Sequence, residues 1–169
     1  MILIEADTSD DWDSSTDWAQ LAKAAVRAAV AESDVAGLLD SGVAAEISVR
    51  FTSDDEVRAL NAAWRSKDKA TNVLSFPMVE PGQLATLERS ENGEALLGDI
   101  VLARGICGAE AEARDIATCT HAAHLVVHGT LHLLGFDHER GEGEAEAMEA
   151  AERRALARLG IADPYEIHP

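Results

Sequence analysis

His128-Gly129-Thr130-Leu131-His132-Leu133-Leu134-Gly135-Phe136-Asp137-His138 sets two histidines four residues apart in an apolar run, then a glycine, then a third histidine. In a helix, positions four apart differ by about 40° in rotation and about 6 Å in height, so His128 and His132 share a face. Two imidazoles so placed can close on one ion, with nitrogen–metal distances of about 2.0–2.1 Å. A third histidine at the same spacing would lie about 12 Å from the first along the axis, too far to join them. The third ligand therefore comes from elsewhere, and Gly135 provides the route. Glycine adopts the left-handed conformation that ends a helix and turns the chain back, which returns His138 toward the first two. Three neutral nitrogens leave a zinc ion with one position open, as catalytic rather than structural sites do. Nickel or cobalt would suit the same set, so zinc is the favoured metal among several.

The helix that carries this stretch is predicted from about Thr118 to Leu134, with His121 and His124 on it as well. Their role stays open between ordinary helix histidines and groups that support the metal ligands. Downstream, a last helix runs from about Glu142 to Leu159 and ends at Gly160. Upstream, Gly98–Ala103 reads as a strand and residues 107–114 as a short helix. Residues 80–95, with Pro81, two glycines and four glutamates, read as a mobile loop. Thr71–Phe76 is a strand ended by Pro77, which cannot donate to a ladder. Ser53-Asp54-Asp55-Glu56 is a capping box before a helix whose buried stripe is Val57, Leu60 and Trp64. Glu46–Phe51 alternates polar and apolar as a half-buried strand does. A helix from about Asp17 to Glu32 and a strand over residues 1–6 complete the order. About four strands in a mixed sheet and five helices make one α+β domain spanning residues 1–169.

The chain carries 14 Lys+Arg against 31 Asp+Glu, a net charge of −17. That balance excludes a protein that coats nucleic acid through a basic face, and it excludes a binder of anionic membranes. Disorder is excluded too, because 47% of the residues are hydrophobic and can build a core. The N-terminal Met1–Asp7 lacks the basic flank and apolar length of a signal peptide. No apolar run nears the roughly 20 residues of a membrane span. Cys107 and Cys119 are too few for a disulfide framework, so a reducing, cytoplasmic setting is the expectation. The acidity is also uneven. Residues 5–17 hold six acids and no base, 80–99 five acids against Arg89, and 139–152 six acids against Arg140. Between them, Arg58, Arg65, Lys67 and Lys69 face only Asp68, and Arg65 has the planar fork that grips two phosphate oxygens.

The ligand spacing matches the zincin pattern H-E-x-x-H-x-x-G-x-x-H at every ligand and at the turn glycine, but Gly129 stands where the catalytic glutamate belongs. A metallopeptidase needs that carboxylate to take a proton from its water, so a substrate with a better leaving group is favoured over a peptide.

HGTLHLLGFDH (128–138) closely resembles the signature of the YbeY family of metal-dependent endoribonucleases, also called rRNA maturation factors. LNAAWRSKDKATNVLSFP (60–77), LLGDIVLA (96–103) and EAEAMEAAERRALARLGIADPY (144–165) extend the resemblance over most of residues 47–165. It implies a zincin-like fold with one Zn²⁺ per chain, held by His128, His132 and His138, and it puts Arg65 at the arginine the family needs. It further implies single-strand-specific cleavage of RNA at the 3′ end of small-subunit ribosomal RNA, a part in ribosome quality control, and the small subunit and its assembly factors as partners. The general base is unassigned: Asp99 and Asp137 are candidates, and the 2′-OH of the substrate could itself act as nucleophile and ease the need for a hydrolytic base. Two rivals remain: a zinc peptidase with an unusual base, and a non-enzymatic ribosome-assembly factor with a structural metal.

Overall fold

The computed structural model describes residues 1–136 and 141–165. Along them run β1 (Ile2–Thr8), α1 (Trp18–Ala31), β2 (Ala44–Thr52), α2 (Asp54–Arg65) and β3 (Val73–Pro77). They are followed by α3 (Pro81–Glu88), β4 (Glu94–Ala103), α4 (Arg104–Ala113), α5 (Thr118–Leu133) and α6 (Glu142–Arg158). The strands form one mixed sheet in the order β1-β2-β4-β3, with β1, β2 and β4 parallel and β3 antiparallel to β4 at the edge. The α+β expectation holds.

Strand alternation divides the sheet into two faces. Ala45, Ile47, Val49 and Phe51 of β2, with Ile100 and Leu102 of β4, are fully or almost fully buried beneath α1, α5 and α6. Trp12 and Trp18 complete that core against Phe51, with ring centroids 4.9 Å apart. The other face is covered only in part, by α2, whose Val57 packs with Leu74, Val101 and Ala103. Ser53 caps α2 by accepting from the Glu56 N–H, as the sequence pattern requires. Glu56, however, turns its carboxylate to Arg50 and Thr52.

Two expectations are corrected. Residues 81–88 form helix α3 within the stretch expected to be a loop, and with it six α-helices, rather than five, stand among the described residues. Pro81 starts this helix, the Glu80 N–H donates to Gln83 Oε1, and Leu84 anchors it at 1% exposure. Trp64, expected in the buried stripe of α2, is 74% exposed. The stripe does continue through it, but the sheet face below is open there, so the ring lines a cleft with Leu60, Phe76 and Arg50.

Candidate active site

Helix α5 is enclosed on most sides, with His121, His124, Leu125, Val127 and Leu131 buried along it. Its C-terminus closes in the way the sequence predicts. Gly135 has φ +97, its N–H donates to the His132 carbonyl at 3.1 Å, and the Phe136 N–H donates to the Leu131 carbonyl at 3.0 Å. This pair of bonds is the Schellman arrangement, which satisfies the last carbonyls and swings the chain away from the helix axis. Asp137 and His138 lie beyond that turn and outside the described residues.

Within α5 the spacing of four does what was expected of it. His128 Nε2 and His132 Nε2 stand 3.1 Å apart, with ring centroids at 4.7 Å. Two nitrogens held by one tetrahedral ion at about 2.0–2.1 Å are themselves roughly 3.3 Å apart, so the pair fits a shared metal. Among the described residues no group of three side chains suitable for a metal stands together, since the motif's third histidine is not one of them.

Behind the pair lies a carboxylate that the sequence analysis did not single out. Glu152 of α6 is 1% exposed, and its Oε1 accepts from His128 Nδ1 at 2.7 Å. Its Oε2 accepts from His124 Nε2 at 2.8 Å and from the Tyr165 hydroxyl at 2.5 Å. Burial alone would raise this carboxyl, but the hydrogen bonds from His124, His128 and Tyr165 outweigh it and push the pKa down to about 2. The Tyr165 phenol is driven the other way, first by burial and then by its bond to the Glu152 carboxylate. A legible signal existed. Glu152 falls on the apolar stripe of α6 with Met148, Ala151, Ala155 and Leu156, and an acid on a buried stripe requires partners. His121 has a separate carboxylate, Glu110, at 2.9 Å, which in turn accepts from Asn72. Burial holds His121 below its ordinary value against the opposing pull of Glu110.

The two histidines open into a cleft of roughly 670 Å³ along the free edge of β3, bounded by Asn72, Pro81, Phe136 and Arg65. Arg65 is brought to the same cleft by the end of α2. Its Nη2 donates to the Ser75 carbonyl at 2.6 Å, and its guanidinium lies 5.5 Å from the Phe76 ring centroid. Ser66, in left-handed conformation with φ 57, then turns the chain back toward β3. Arg58, by contrast, is bound by both Asp68 oxygens, at 2.8 and 3.2 Å, and does not line the cleft. Asp99 is a correction: it lines the neighbouring cleft on the open sheet face, and not the one that holds the histidines. Strand alternation explains this, because Gly98 and Ile100 face α5 and Asp99 between them faces away.

The family model for endoribonuclease YbeY matches residues 4–160. The chain belongs to the endoribonuclease YbeY family. Endoribonuclease YbeY of Rhizorhabdus wittichii is 54% identical over 167 residues, which cover 99% of this chain and 98% of that protein. Endoribonuclease YbeY of Zymomonas mobilis is 49% identical over 168 residues, covering 99% of this chain and 95% of the relative. The solution structure of TM1509 from Thermotoga maritima has the same fold, with a TM-score of 0.57 at 18% identity over 98% of this chain and all of that one. Membership in the YbeY family is thus what the His128–His138 signature led one to expect, and it makes phosphodiester cleavage in RNA the family chemistry to set against this cleft.

The seam at Gly129 is too tight for the glutamate that the zincin pattern has at this position. A Cβ at this position would stand 2.9 Å from Ile100 Cγ2, in the packed seam between α5 and β4. The place that a zincin peptidase gives to its glutamate is filled here by the sheet.

Proposed function

We propose that this chain is a metal-dependent, single-strand-specific endoribonuclease that uses the cleft between α5 and the edge of β3, with His128, His132 and His138 holding one Zn²⁺ and Arg65 acting on the phosphate. The observation that carries this reading is the convergence of His128 Nε2 and His132 Nε2 to 3.1 Å in a cleft that Arg65 also lines. A divalent metal bound there would supply Lewis acidity to the scissile phosphate. The chain's own residues supply the rest. Arg65 is steadied by the Ser75 carbonyl and the Phe76 ring, with its remaining N–H groups available to the phosphoryl oxygens as charge builds on them. The free edge of β3 gives an extended single strand a wall to lie along. With Asp99 in the neighbouring cleft, Asp137 is the candidate left from the sequence to accept the proton of the attacking group, which is either a water or the substrate's own 2′-OH.

The substrate within this reading is the 3′ end of small-subunit ribosomal RNA, met on the ribosomal small subunit and its assembly factors in the cytoplasm. The whole of residues 1–169 acts as one catalytic domain. Among the described residues no helix is long and apolar enough to cross a membrane. The peptidase alternative lacks the glutamate of the zincin pattern, because Gly129 stands in its place against Ile100. The alternative of a structural metal does not explain why an arginine is held at the mouth of the same cleft.

The test is cleavage of single-stranded and duplex RNA of one sequence by purified protein of measured metal content. His128→Ala is expected to lose both metal and cleavage. Arg65→Ala should keep the metal and lose cleavage by a factor of about 10²–10³, as when one charge-stabilising donor is removed. Wild-type rates in both variants would sink the assignment.

A further inference from the structure

Four histidines line α5, yet the proposed site uses only two of them, and the buried carboxylate between His124 and His128 has no part in it so far. Three groups converge on the Glu152 carboxyl, His128 Nδ1 at 2.7 Å on Oε1 and His124 Nε2 at 2.8 Å and the Tyr165 hydroxyl at 2.5 Å on Oε2, and a carboxyl so surrounded serves them as the acceptor. His128 therefore presents its proton to Glu152 on Nδ1, which makes Nε2, the atom turned to His132, the nitrogen whose lone pair can ligate a metal. His124 Nδ1 is buried with no hydrogen-bond partner among the described residues, as an unprotonated nitrogen tolerates better than an N–H would. Its proton accordingly sits on Nε2, pointed at Glu152. Tyr165 reaches the same oxygen from the segment after α6. That segment is pinned in turn by the Tyr165 N–H donating to Asp163 Oδ1 at 2.8 Å, by Arg153 meeting Asp163 at 3.0 Å, and by Arg153 lying over the Tyr165 ring.

We propose that Glu152 is a positioning residue for the metal site: it fixes the tautomer and the ring orientation of His128 through Nδ1, and His124 and Tyr165 hold Glu152 in place for that task. This rests on the reading of His128 and His132 as metal ligands. It gives a role to His124, which is otherwise a polar side chain in a core, and to the 144–165 motif, whose Glu152 and Tyr165 meet on one hydrogen bond. Imidazoles that ligate metals characteristically donate their second nitrogen's proton in this way, and loss of the acceptor weakens metal binding by about 10–100-fold.

Zinc affinity of the full-length protein, measured by competition with a chromophoric chelator, separates the possibilities when the melting temperature of each metal-free form is recorded beside it. Glu152→Gln is expected to bind zinc 10–100-fold more weakly than wild type. Tyr165→Phe should weaken it by a smaller factor, because Glu152 keeps its bond to His128. In ¹H–¹⁵N spectra of the metal-free protein His128 should show the Nδ1–H tautomer, and Glu152→Gln should erase that preference, a change that a purely structural role for Glu152 does not produce. Glu152→Gln zinc affinity within twofold of wild type, or His128 protonated on Nε2 in the wild-type protein, overturns the proposal. Should Glu152→Gln not fold, Tyr165→Phe and His124→Asn decide, and wild-type affinity in both overturns it. If instead wild type takes up no stoichiometric zinc, or His132→Ala binds as tightly as wild type, the ligand assignment itself has failed and the proposal falls with it.

Discussion

Gly129 is the residue at which sequence and packing speak most directly to each other. It replaces a glutamate in an otherwise complete ligand pattern, and the structure gives the reason in distance: 2.9 Å from its missing Cβ to Ile100 Cγ2, with Ile100 itself fully buried. An added methyl must push Ile100 off its rotamer, which costs about 1–3 kcal/mol, while replacing glycine within a helix returns roughly 1 kcal/mol. Gly129→Ala is therefore expected to lose about 1 kcal/mol, seen as a melting temperature lower by roughly 2–4 °C. Gly129→Glu adds an unpaired charge in the same seam and should not fold at 25 °C. A folded Gly129→Glu protein with peptidase activity would refute the packing account. Glu152 makes the converse point. A single acid within an apolar helix stripe was visible in the sequence, but which groups would answer it was not, because His124, His128 and Tyr165 approach it from 28, 24 and 13 residues away.

At the scale of elements, α5 and the turn that ends it organise the site. The left-handed Gly135 sends the chain out of the helix axis, and a side chain there would meet Pro81 Cβ at 3.3 Å as well as an unfavourable φ of +97. A non-glycine residue held in left-handed conformation costs roughly 1–2 kcal/mol. Gly135→Ala should lower the metal-free melting temperature by roughly 3–8 °C, and it should weaken zinc binding because the segment leading to His138 leaves the helix along another path. An unchanged melting temperature would mean that the Schellman turn is dispensable. The helices α1, α2, α5 and α6 and all four strands were legible because each carries at least one local signal, a capping residue, a terminal glycine, hydrophobic periodicity or a short apolar run. Helix α3 was not, since its Pro81 and two nearby glycines read as a loop while its anchor is the single buried Leu84. Trp64 was misplaced for a related reason: the periodicity of α2 records which residues share a face, not where the sheet beneath that face stops being covered. The pairing of β3 beside β4, which brings Arg65 and the histidines to one cleft, depends on contacts between segments far apart in sequence, and local pattern carries no trace of those.

For the whole molecule, the question set by a net charge of −17 is how an acidic body handles a polyanion. Folding sharpens the difficulty, because many of the cations are already engaged by acids. Arg50 is held by Asp7 and Glu56, Arg58 by Asp68, Arg154 and Arg158 by Glu32, and Arg153 by Asp163. Arg65, held by the Ser75 carbonyl and the Phe76 ring, stands at the cleft, and Lys67 and Lys69 are exposed in the turn that follows it. Each phosphate neutralised on a single strand contributes a slope of about −0.7 to the dependence of log K on log salt. Three cations thus set a limit near −2, against the steep slopes of proteins that coat nucleic acid. Titration of a fluorescent single-stranded RNA with the metal-free protein between 50 and 200 mM KCl should therefore give weak binding and a slope no steeper than about −2. A slope near −4, or a nanomolar dissociation constant at physiological salt for arbitrary single strands, would require a basic surface beyond the three cations at this cleft. With so few phosphate contacts, the proposed small-subunit partner would have to contribute to the choice of cleavage site, and a slope that steepens when ribosomal subunits replace naked RNA is the outcome that reading expects.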